Sequence, residues 1–224
     1  MTKRRGGYAD KEDKYDVFQD WKTEEQYLDW TINRFDSFDN VLKENGVILY
    51  NFSYSIENPS LPYKMVMEII NNTSFTVADT IIWKKPNAIP HPASYNRLNR
   101  IFEYIFVFCR KEEILTFEAN KKVVKVSSRG QNYYEVIKNY ITAKNNDGSN
   151  KLNKATYSTE LCDKLLKIYA KDGAIVYDPF IGTGTTAISC LRRGLSYIGS
   201  EISEKQVEYA ENWIKLTKKH INGI

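Results

Sequence analysis

A glycine-rich turn towards the C-terminal end of this 224-residue chain constrains its fold more than any other feature. Residues 176–187 read VYDPFIGTGTTA, where an apolar run ends at Asp178 and Gly182 and Gly184 precede a helix that begins near Thr185. Glycines permit a tight turn and a close approach of the backbone to a ligand, and the first turn of a helix offers unpaired N–H groups. The pattern predicts a parallel α/β sheet with a ligand site at the carboxyl ends of its strands.

A carboxylate at the end of the following strand indicates which kind of ligand is expected. The predicted strand Leu195–Ser200 leads to Glu201, where a carboxylate can accept both hydroxyl protons of a ribose. The glycine spacing also fits a dinucleotide fingerprint, so NAD is one alternative, and a turn that binds nothing is another. Asp178 would repel a pyrophosphate but suits a cationic group such as the amino group of S-adenosylmethionine. We therefore expect S-adenosylmethionine.

The position of this turn in the chain predicts a permuted order of strands. If the cofactor strand comes last, the other strands of its sheet must come earlier, and the apolar runs Val47–Tyr50, Phe75–Trp83 and Tyr104–Cys109 are the candidates. The proline-rich stretch Lys84–Pro92 joins the last two runs and excludes regular structure between them. We expect these two runs to form an antiparallel pair at a sheet edge.

Capping signals predict the helices. Residues 23–26 (TEEQ) and 203–206 (SEKQ) are capping boxes, which supply partners to free amides of a first helical turn. Ser158 opens another predicted helix, and Leu61–Asn71 forms a further one. Gly46 is expected to end the first helix as its C′ residue. Residues 1–20 are polar and are predicted to be a loop.

Several blocks of the sequence resemble the DNA amino-methyltransferases, which act on N6 of adenine or N4 of cytosine. Residues 178–186 (DPFIGTGTT) look like motif I of that family, and residues 197–202 (YIGSEI) look like motif II. Residues 41–49, with the hairpin blocks 83–90 and 103–108, are similar to further family blocks. The C-terminal place of motif I resembles the permuted beta class. The resemblance implies an α/β fold, a Rossmann-like methyltransferase sheet in permuted order with a small inserted target-recognition segment.

The resemblance also implies roles for single residues. Asp178 and the glycine turn would hold the methionine end of S-adenosylmethionine, and Glu201 would hold the ribose hydroxyls. Residues 155–157 look like motif X, which lies against the methionine part, although Asn153 and Lys154 stand where this class often has His-Pro. The candidate cofactor residues are Thr156, Tyr157, Asp178, Phe180, Gly182, Gly184, Thr185, Thr186, Glu201 and Ile202.

The catalytic motif of that family is absent from these residues. The motif is Asp, Asn or Ser followed by Pro-Pro and Tyr or Phe, whose polar groups accept hydrogens from the base amine while the aromatic ring stacks on the flipped base. The chain contains no Pro-Pro pair. We expect the motif immediately upstream of Met1, on a β-α-β segment of about 40–60 residues. Without that central strand, two half-sheets with unpaired edges are expected, and we expect either a homodimer or a partner that supplies the missing strand.

The same resemblance divides the chain into three parts. Residues 1–110 and 155–224 would form the methyltransferase domain, and residues 111–154 would form the target-recognition segment. Basic and tyrosine side chains there can contact phosphates and stack on bases, but a solvated basic face with core tyrosines is the alternative. The candidate DNA-binding residues are Arg97, Arg100, Arg129, Lys138 and Lys144.

Composition limits the remaining classes of protein. The net charge of +4 predicts a local basic face rather than a polycation, and three widely spaced cysteines predict buried thiols with neither disulfides nor a metal site. No secretory signal or membrane span is expected, so the protein is predicted to be cytoplasmic.

The function that the resemblance implies is methylation of double-stranded DNA with one flipped base, adenine N6 before cytosine N4, as in restriction-modification. An inactive cofactor- or DNA-binding fragment and an RNA or protein methyltransferase are the alternatives.

Overall fold

The structure is a computed structural model. It describes residues 23–53, 58–86, 98–148, 152–153 and 156–223. These residues form two compact units. The N-terminal unit lies within Trp21–Ala143, and the C-terminal unit lies within Lys144–Ile224. The predicted loop over residues 1–20 and most of the proline-rich stretch lie outside the described residues.

The described residues of the N-terminal unit form two helices, a 3₁₀ turn and six strands. Its elements are α1 (Glu24–Asp39), β1 (Ile48–Phe52), α2 (Leu61–Asn72), β2 (Phe75–Lys84), β3 (Phe102–Arg110), a 3₁₀ turn (Lys111–Glu113), β4 (Val123–Val126), β5 (Asn132–Tyr134) and β6 (Tyr140–Thr142). The C-terminal unit has α3 (Thr159–Tyr169), β7 (Ile175–Asp178), α4 (Thr185–Arg192), β8 (Ser196–Gly199) and α5 (Glu204–Ile221). The α/β class expected from the sequence is confirmed.

The main sheet of the N-terminal unit has the order β1-β3-β2-β6. Strand β3 is antiparallel to both β1 and β2, so the predicted antiparallel pair is confirmed. The predicted place of this pair at a sheet edge is wrong, because β1 flanks β3 and the parallel strand β6 flanks β2. The indole N–H of Trp83 on β2 donates to the carbonyl of Ala143, 2.9 Å away, and thereby fastens the end of β6. A strand from the predicted recognition segment thus completes this sheet.

Aromatic residues dominate the core of the N-terminal unit. Phe35 of α1 packs edge-on against Phe108 of β3, with ring centroids 5.0 Å apart, and against Phe75 at 5.7 Å. Edge-to-face rings contribute beyond the area they bury. The Thr23 hydroxyl accepts from the Gln26 amide, which confirms this cap. Helix α1 ends at Asp39, before Gly46, so the predicted C′ role of Gly46 is wrong.

Arg110, at the end of β3, secures the segment that follows α1. Its Nε donates to Asp39 Oδ1 at 2.5 Å, and its terminal nitrogens donate to the carbonyls of Asp39, Leu42 and Lys43. These contacts satisfy backbone groups left open at the helix end. Hydrogen bonding to Arg110 lowers the pKa of Asp39.

The C-terminal unit is built on a two-stranded parallel sheet. Register pairs Asp178 with Gly199, so the ends of β7 and β8 lie side by side. One face of this sheet packs Val176 and Tyr197 against a cluster that includes Cys162 and Cys190. Burial raises the pKa of those two thiols to about 12 and about 11. All three cysteines are free and buried, as the sequence predicted.

The strands expected to share one sheet with β7 form a separate sheet in the N-terminal unit. Among the described strands, β7 pairs only with β8, whereas the three candidates are β1, β2 and β3 of the four-stranded sheet. The expectation of a single sheet is therefore wrong for the described residues. In the same residues, no helix is long and apolar enough to cross a membrane.

Candidate cofactor site

Asp178 lies at the end of β7 and accepts three hydrogen bonds. Its Oδ2 accepts from the Tyr157 hydroxyl at 3.0 Å and from the Thr186 hydroxyl at 2.5 Å. Its Oδ1 accepts from the backbone N–H of Phe180 at 3.0 Å. A carboxylate has about four acceptor positions, so Oδ1 retains one for a further donor. The carboxylate is held firmly, and one of its oxygens can still bind a ligand.

Tyr157 connects the segment that resembles motif X with the glycine turn. Its hydroxyl oxygen lies 2.5 Å from that of Thr186, and its carbonyl accepts from Thr185 Oγ1 at 3.4 Å. Desolvation of the hydroxyl, with the nearby charge of Asp178, raises the pKa of Tyr157 well above its usual value. Tyr157 is therefore neutral and donates at physiological pH. Thr156 precedes it and is partly buried.

The two threonines of the turn have structural contacts of their own. Both Thr185 and Thr186 are buried, and their hydroxyls donate to Tyr157 and Asp178. Their side chains therefore position the tyrosine and the carboxylate. Contact of either side chain with a ligand stays a prediction.

The glycines permit the close approach of protein groups as well as a tight turn. Gly182 has φ +54°, and a Cβ on it would lie 3.2 Å from Asn153 Nδ2. Gly184 has φ +95°, and a Cβ would lie 3.0 Å from Cβ of Ala210 on α5. Positive φ is strained for residues with a side chain. The sequence predicts this closeness for a ligand, whereas the packing of Ala210 on α5 against Gly184 also requires it.

Glu201 follows β8 and is bonded to the turn. Its Oε2 accepts from the Gly182 amide at 3.0 Å, and its Oε1 accepts from the amides of Ile202 and Ser203 at 2.8 and 2.9 Å. Three of about four acceptor positions are occupied. In this conformation Glu201 has room for one further hydroxyl donor rather than the two expected from the sequence.

Asn153 and Gln206 form a contact that the sequence pattern does not predict. Asn153 Nδ2 donates to Gln206 Oε1 at 3.0 Å, next to Gly182. In a capping box the glutamine side chain reaches back to the N-cap amide. Here Glu201 accepts from that amide of Ser203, and the Gln206 side chain bonds to Asn153 instead. The capping signal could predict the helix start but not this second partner.

Two apolar candidates lie at the surface of the site. Phe180, two residues after Asp178, is 60% exposed, and Ile202, directly after Glu201, is 66% exposed. Apolar side chains at the ends of adjacent strands offer surface for a flat ring. Their contact with an adenine stays a prediction.

The candidate DNA-binding residues are spread over the chain. Arg129 and Lys138 are exposed in the N-terminal unit, Arg100 is partly buried there, and Lys144 belongs to the C-terminal unit. Lys138 Nζ lies 5.5 Å from the centroid of the Tyr140 ring. Arg97 lies outside the described residues.

The described residues define an α/β protein with two acidic residues at the ends of adjacent parallel strands, joined through a glycine turn. The DNA methylase family model, that of the N6 and N4 methyltransferases, matches residues 5–212. The chain belongs to this DNA methylase family, and the resemblance drawn from the sequence is confirmed.

Curated relatives include type II methyltransferases. The chain is 28% identical to M.Cfr9I of Citrobacter freundii over 153 residues, which covers 68% of this chain and 48% of that protein. It is 26% identical to M.HinfI of Haemophilus influenzae, with 70% and 44% covered, so it spans about half the length of these two relatives. It is 26% identical to the orphan methyltransferase M.BamHII of Bacillus amyloliquefaciens, with 78% and 77% covered.

Solved structures share the fold. The PvuII DNA methyltransferase, described as cytosine-N4-specific, aligns with a TM-score of 0.67 at 16% identity, covering 92% of this chain and 81% of that chain. The M1.HpyAVI–SAM complex aligns with a TM-score of 0.59 at 22% identity, covering 85% and 83%. The predicted methyltransferase fold is therefore confirmed.

Proposed function

We propose that this chain binds S-adenosylmethionine and serves in methyl transfer to an exocyclic amine of a base in double-stranded DNA. The observation that carries the proposal is the pair Asp178 and Glu201 at the ends of adjacent strands, both bonded to the turn Phe180–Gly182. Family membership supports the reaction class. Adenine N6 is the proposed target before cytosine N4, and a cytoplasmic location stays a prediction.

The acceptor positions left on the two carboxylates fit this cofactor. The free position on Asp178 Oδ1 suits the ammonium of the methionine part, because a carboxylate oxygen accepts from a cationic donor and Tyr157 and Thr186 hold Oδ2. The free position on Glu201 Oε2 suits one ribose hydroxyl. The exposed side chains of Phe180 and Ile202 offer apolar surface to the adenine. When bound, the cofactor would supply an electrophilic methyl group.

The remaining task of the protein is to position the base. A flipped base leaves the stack and is held by stacking and by hydrogen bonds to its polar edge. Among the 224 residues no Pro-Pro pair supplies the family's catalytic motif. We propose that a polypeptide carrying this motif pairs with the edge of β7, beside Asp178.

The exposed face of the small sheet supports such a partner. Ile175, Tyr177 and Ile198 are 49%, 44% and 58% exposed on β7 and β8. Parallel sheets are normally covered on both faces. A strand followed by a helix would pair with the β7 edge and cover these side chains.

Calorimetry of S-adenosylmethionine binding tests the cofactor part. Asp178→Asn and Glu201→Gln should each raise Kd about tenfold, in line with loss of one charge-assisted hydrogen bond of ~1.5 kcal/mol. Asp172→Asn is the matched control, because Asp172 is an exposed carboxylate of the same unit. Equal affinities for all four proteins would refute the assigned site.

Methylation assays test the catalytic part. Duplex DNA and RNA are supplied with labelled S-adenosylmethionine, with and without a peptide that contains the polar-Pro-Pro-aromatic motif. Labelled DNA only in the presence of the peptide is the expected result. Label in DNA without the peptide would refute the need for a partner strand, and label only in RNA would make the chain an RNA methyltransferase. Cofactor binding without label in either DNA or RNA would favour a module that binds the cofactor and does not methylate.

A further inference from the structure

Strands β4 and β5 form a hairpin that has almost no cover from the rest of the chain. They make a two-stranded sheet of their own, and every residue of both strands is exposed. Val124 is 65% exposed and Tyr134 is 54% exposed. An isolated two-stranded hairpin is only marginally stable in water. The hairpin, residues 121–136, therefore offers a surface that a partner could cover.

The charge of this hairpin points to a polyanion. Within residues 121–136, basic side chains outnumber acidic ones by four to one. The basic residues are Lys121, Lys122, Lys125 and Arg129, and the acidic residue is Glu135. The carboxylate of Glu135 accepts from the backbone N–H of Lys122, so it supports the hairpin from within.

Apolar and aromatic side chains lie among these charges. The register pairs Val123 with Tyr134, and Lys125 with Tyr133 across an irregularity in β4. Such bulges increase the local twist of a hairpin. A twisted ribbon with cations and tyrosines suits the groove of a duplex better than a flat protein surface, since the major groove admits a two-stranded β-ribbon.

The hairpin tip has a defined conformation. Ser127 N–H donates to the Gln131 carbonyl at 2.8 Å, and the Gly130 N–H donates to the Ser127 carbonyl at 3.0 Å. The Ser127 hydroxyl accepts from the amides of Arg129 and Gln131 at 3.3 and 3.0 Å. Gly130 has φ +80°. The exposed Arg129 side chain is thus presented from a hydrogen-bonded tip.

We propose that hairpin 121–136 enters the major groove of duplex DNA, with Arg129 contacting base edges and the lysines contacting phosphates. The proposal rests on the function proposed above and names the element that recognises its substrate. Arginine can donate two hydrogen bonds to guanine O6 and N7. Lysine contacts to phosphate contribute affinity without selecting a sequence.

Duplexes that bind the full chain are first selected from a random pool. Fluorescence anisotropy at several salt concentrations then measures the affinity of the chain for selected and for unselected duplexes. Arg129→Ala should weaken binding to selected duplexes by roughly tenfold to a hundredfold and change binding to unselected duplexes much less. Lys121→Ala with Lys122→Ala should weaken binding to both and lower the salt slope by about two. Arg193→Ala and Lys205→Ala, at exposed positions of the C-terminal unit, are the matched controls.

Two further measurements separate the possible failures. Calorimetry with S-adenosylmethionine reports whether each variant is folded and whether the proposed cofactor function holds. Variants that bind the cofactor but bind DNA like the controls would overturn the hairpin proposal alone. The hairpin proposal would also be overturned if the parent chain bound no duplex. It would be overturned as well if polyglutamate competed for the chain as effectively as duplex DNA at equal charge. Loss of cofactor binding by the parent chain would instead contradict the proposed function.

Discussion

The two units of the molecule stabilise their sheets in different ways. In the N-terminal unit, α1 and α2 pack aromatic and aliphatic side chains against β1, β2 and β3. In the C-terminal unit, one face of β7–β8 is covered and the other exposes Ile175, Tyr177 and Ile198. The site residues Asp178 and Glu201 belong to the second unit. The aromatic core thus lies in one unit, and the proposed cofactor-binding residues lie in the other.

The largest effect should come from the aromatic core. Phe108 is fully buried against Phe35, so Phe108→Ala should lower the free energy of unfolding by roughly 3–5 kcal/mol through lost burial and a cavity. Urea denaturation followed by circular dichroism measures this change. Val124→Ala, at an exposed position, is the control and should cost under about 0.5 kcal/mol. Similar losses for the two variants would contradict the assignment of the core.

A smaller loss of stability is expected from a substitution in the polar core of the site. Tyr157→Phe removes one donor from Asp178 and should cost about 1–2 kcal/mol, because a partly buried carboxylate loses a hydrogen bond. The same denaturation experiment applies, with calorimetry of S-adenosylmethionine as a second readout. Tyr209→Phe, on an exposed tyrosine of α5, is the control. An unchanged unfolding midpoint for Tyr157→Phe would show that this hydroxyl does not position Asp178.

The stability contributed by Asp39, at the end of α1, should depend on pH in the acid range. Hydrogen bonding to Arg110 lowers the folded-state pKa of Asp39. The stability that the Asp39 carboxylate contributes is therefore complete above the unfolded-state pKa of about 3.9, and it is lost as pH falls through the folded-state pKa. Asp39→Asn should therefore lower stability at pH 7 and reduce the loss of stability in acid. Thermal melts between pH 2 and pH 7 measure both, with Asp36→Asn, at an exposed aspartate, as the control. Identical pH profiles for Asp39→Asn and the parent would refute the contribution.

The smallest effect is expected on the exposed face of β7–β8. Ile175 is 49% exposed, so Ile175→Thr should change the free energy of unfolding by under about 0.5 kcal/mol. Leu166→Ala, beneath the opposite face, should cost roughly 2–4 kcal/mol in the same melts. If Ile175→Thr proved as costly as Leu166→Ala, this face would have to be covered within the chain itself.

Local signals in the sequence were sufficient for most elements. The caps at Thr23, Ser158 and Ser203 were predicted and formed, since each depends on a hydroxyl that accepts from an amide three residues along the chain. The glycine turn between β7 and α4 was predicted because its residues are contiguous. The predicted C′ role of Gly46 is wrong, since α1 ends at Asp39 with Asn40 as its C-cap, and the Asp39 carbonyl accepts from the distant Arg110.

Relations between distant residues required the tertiary structure. The sequence by itself determined the α/β class, the family and the two acidic strand ends, because those follow from local periodicity and a contiguous motif. Only the folded chain decided that β6 joins β2, that Ala210 lies against Gly184, and that three amides occupy Glu201. The physical reason is that strand pairing and side-chain contacts depend on which surfaces meet. Residues far apart in the sequence leave no local pattern that specifies those meetings.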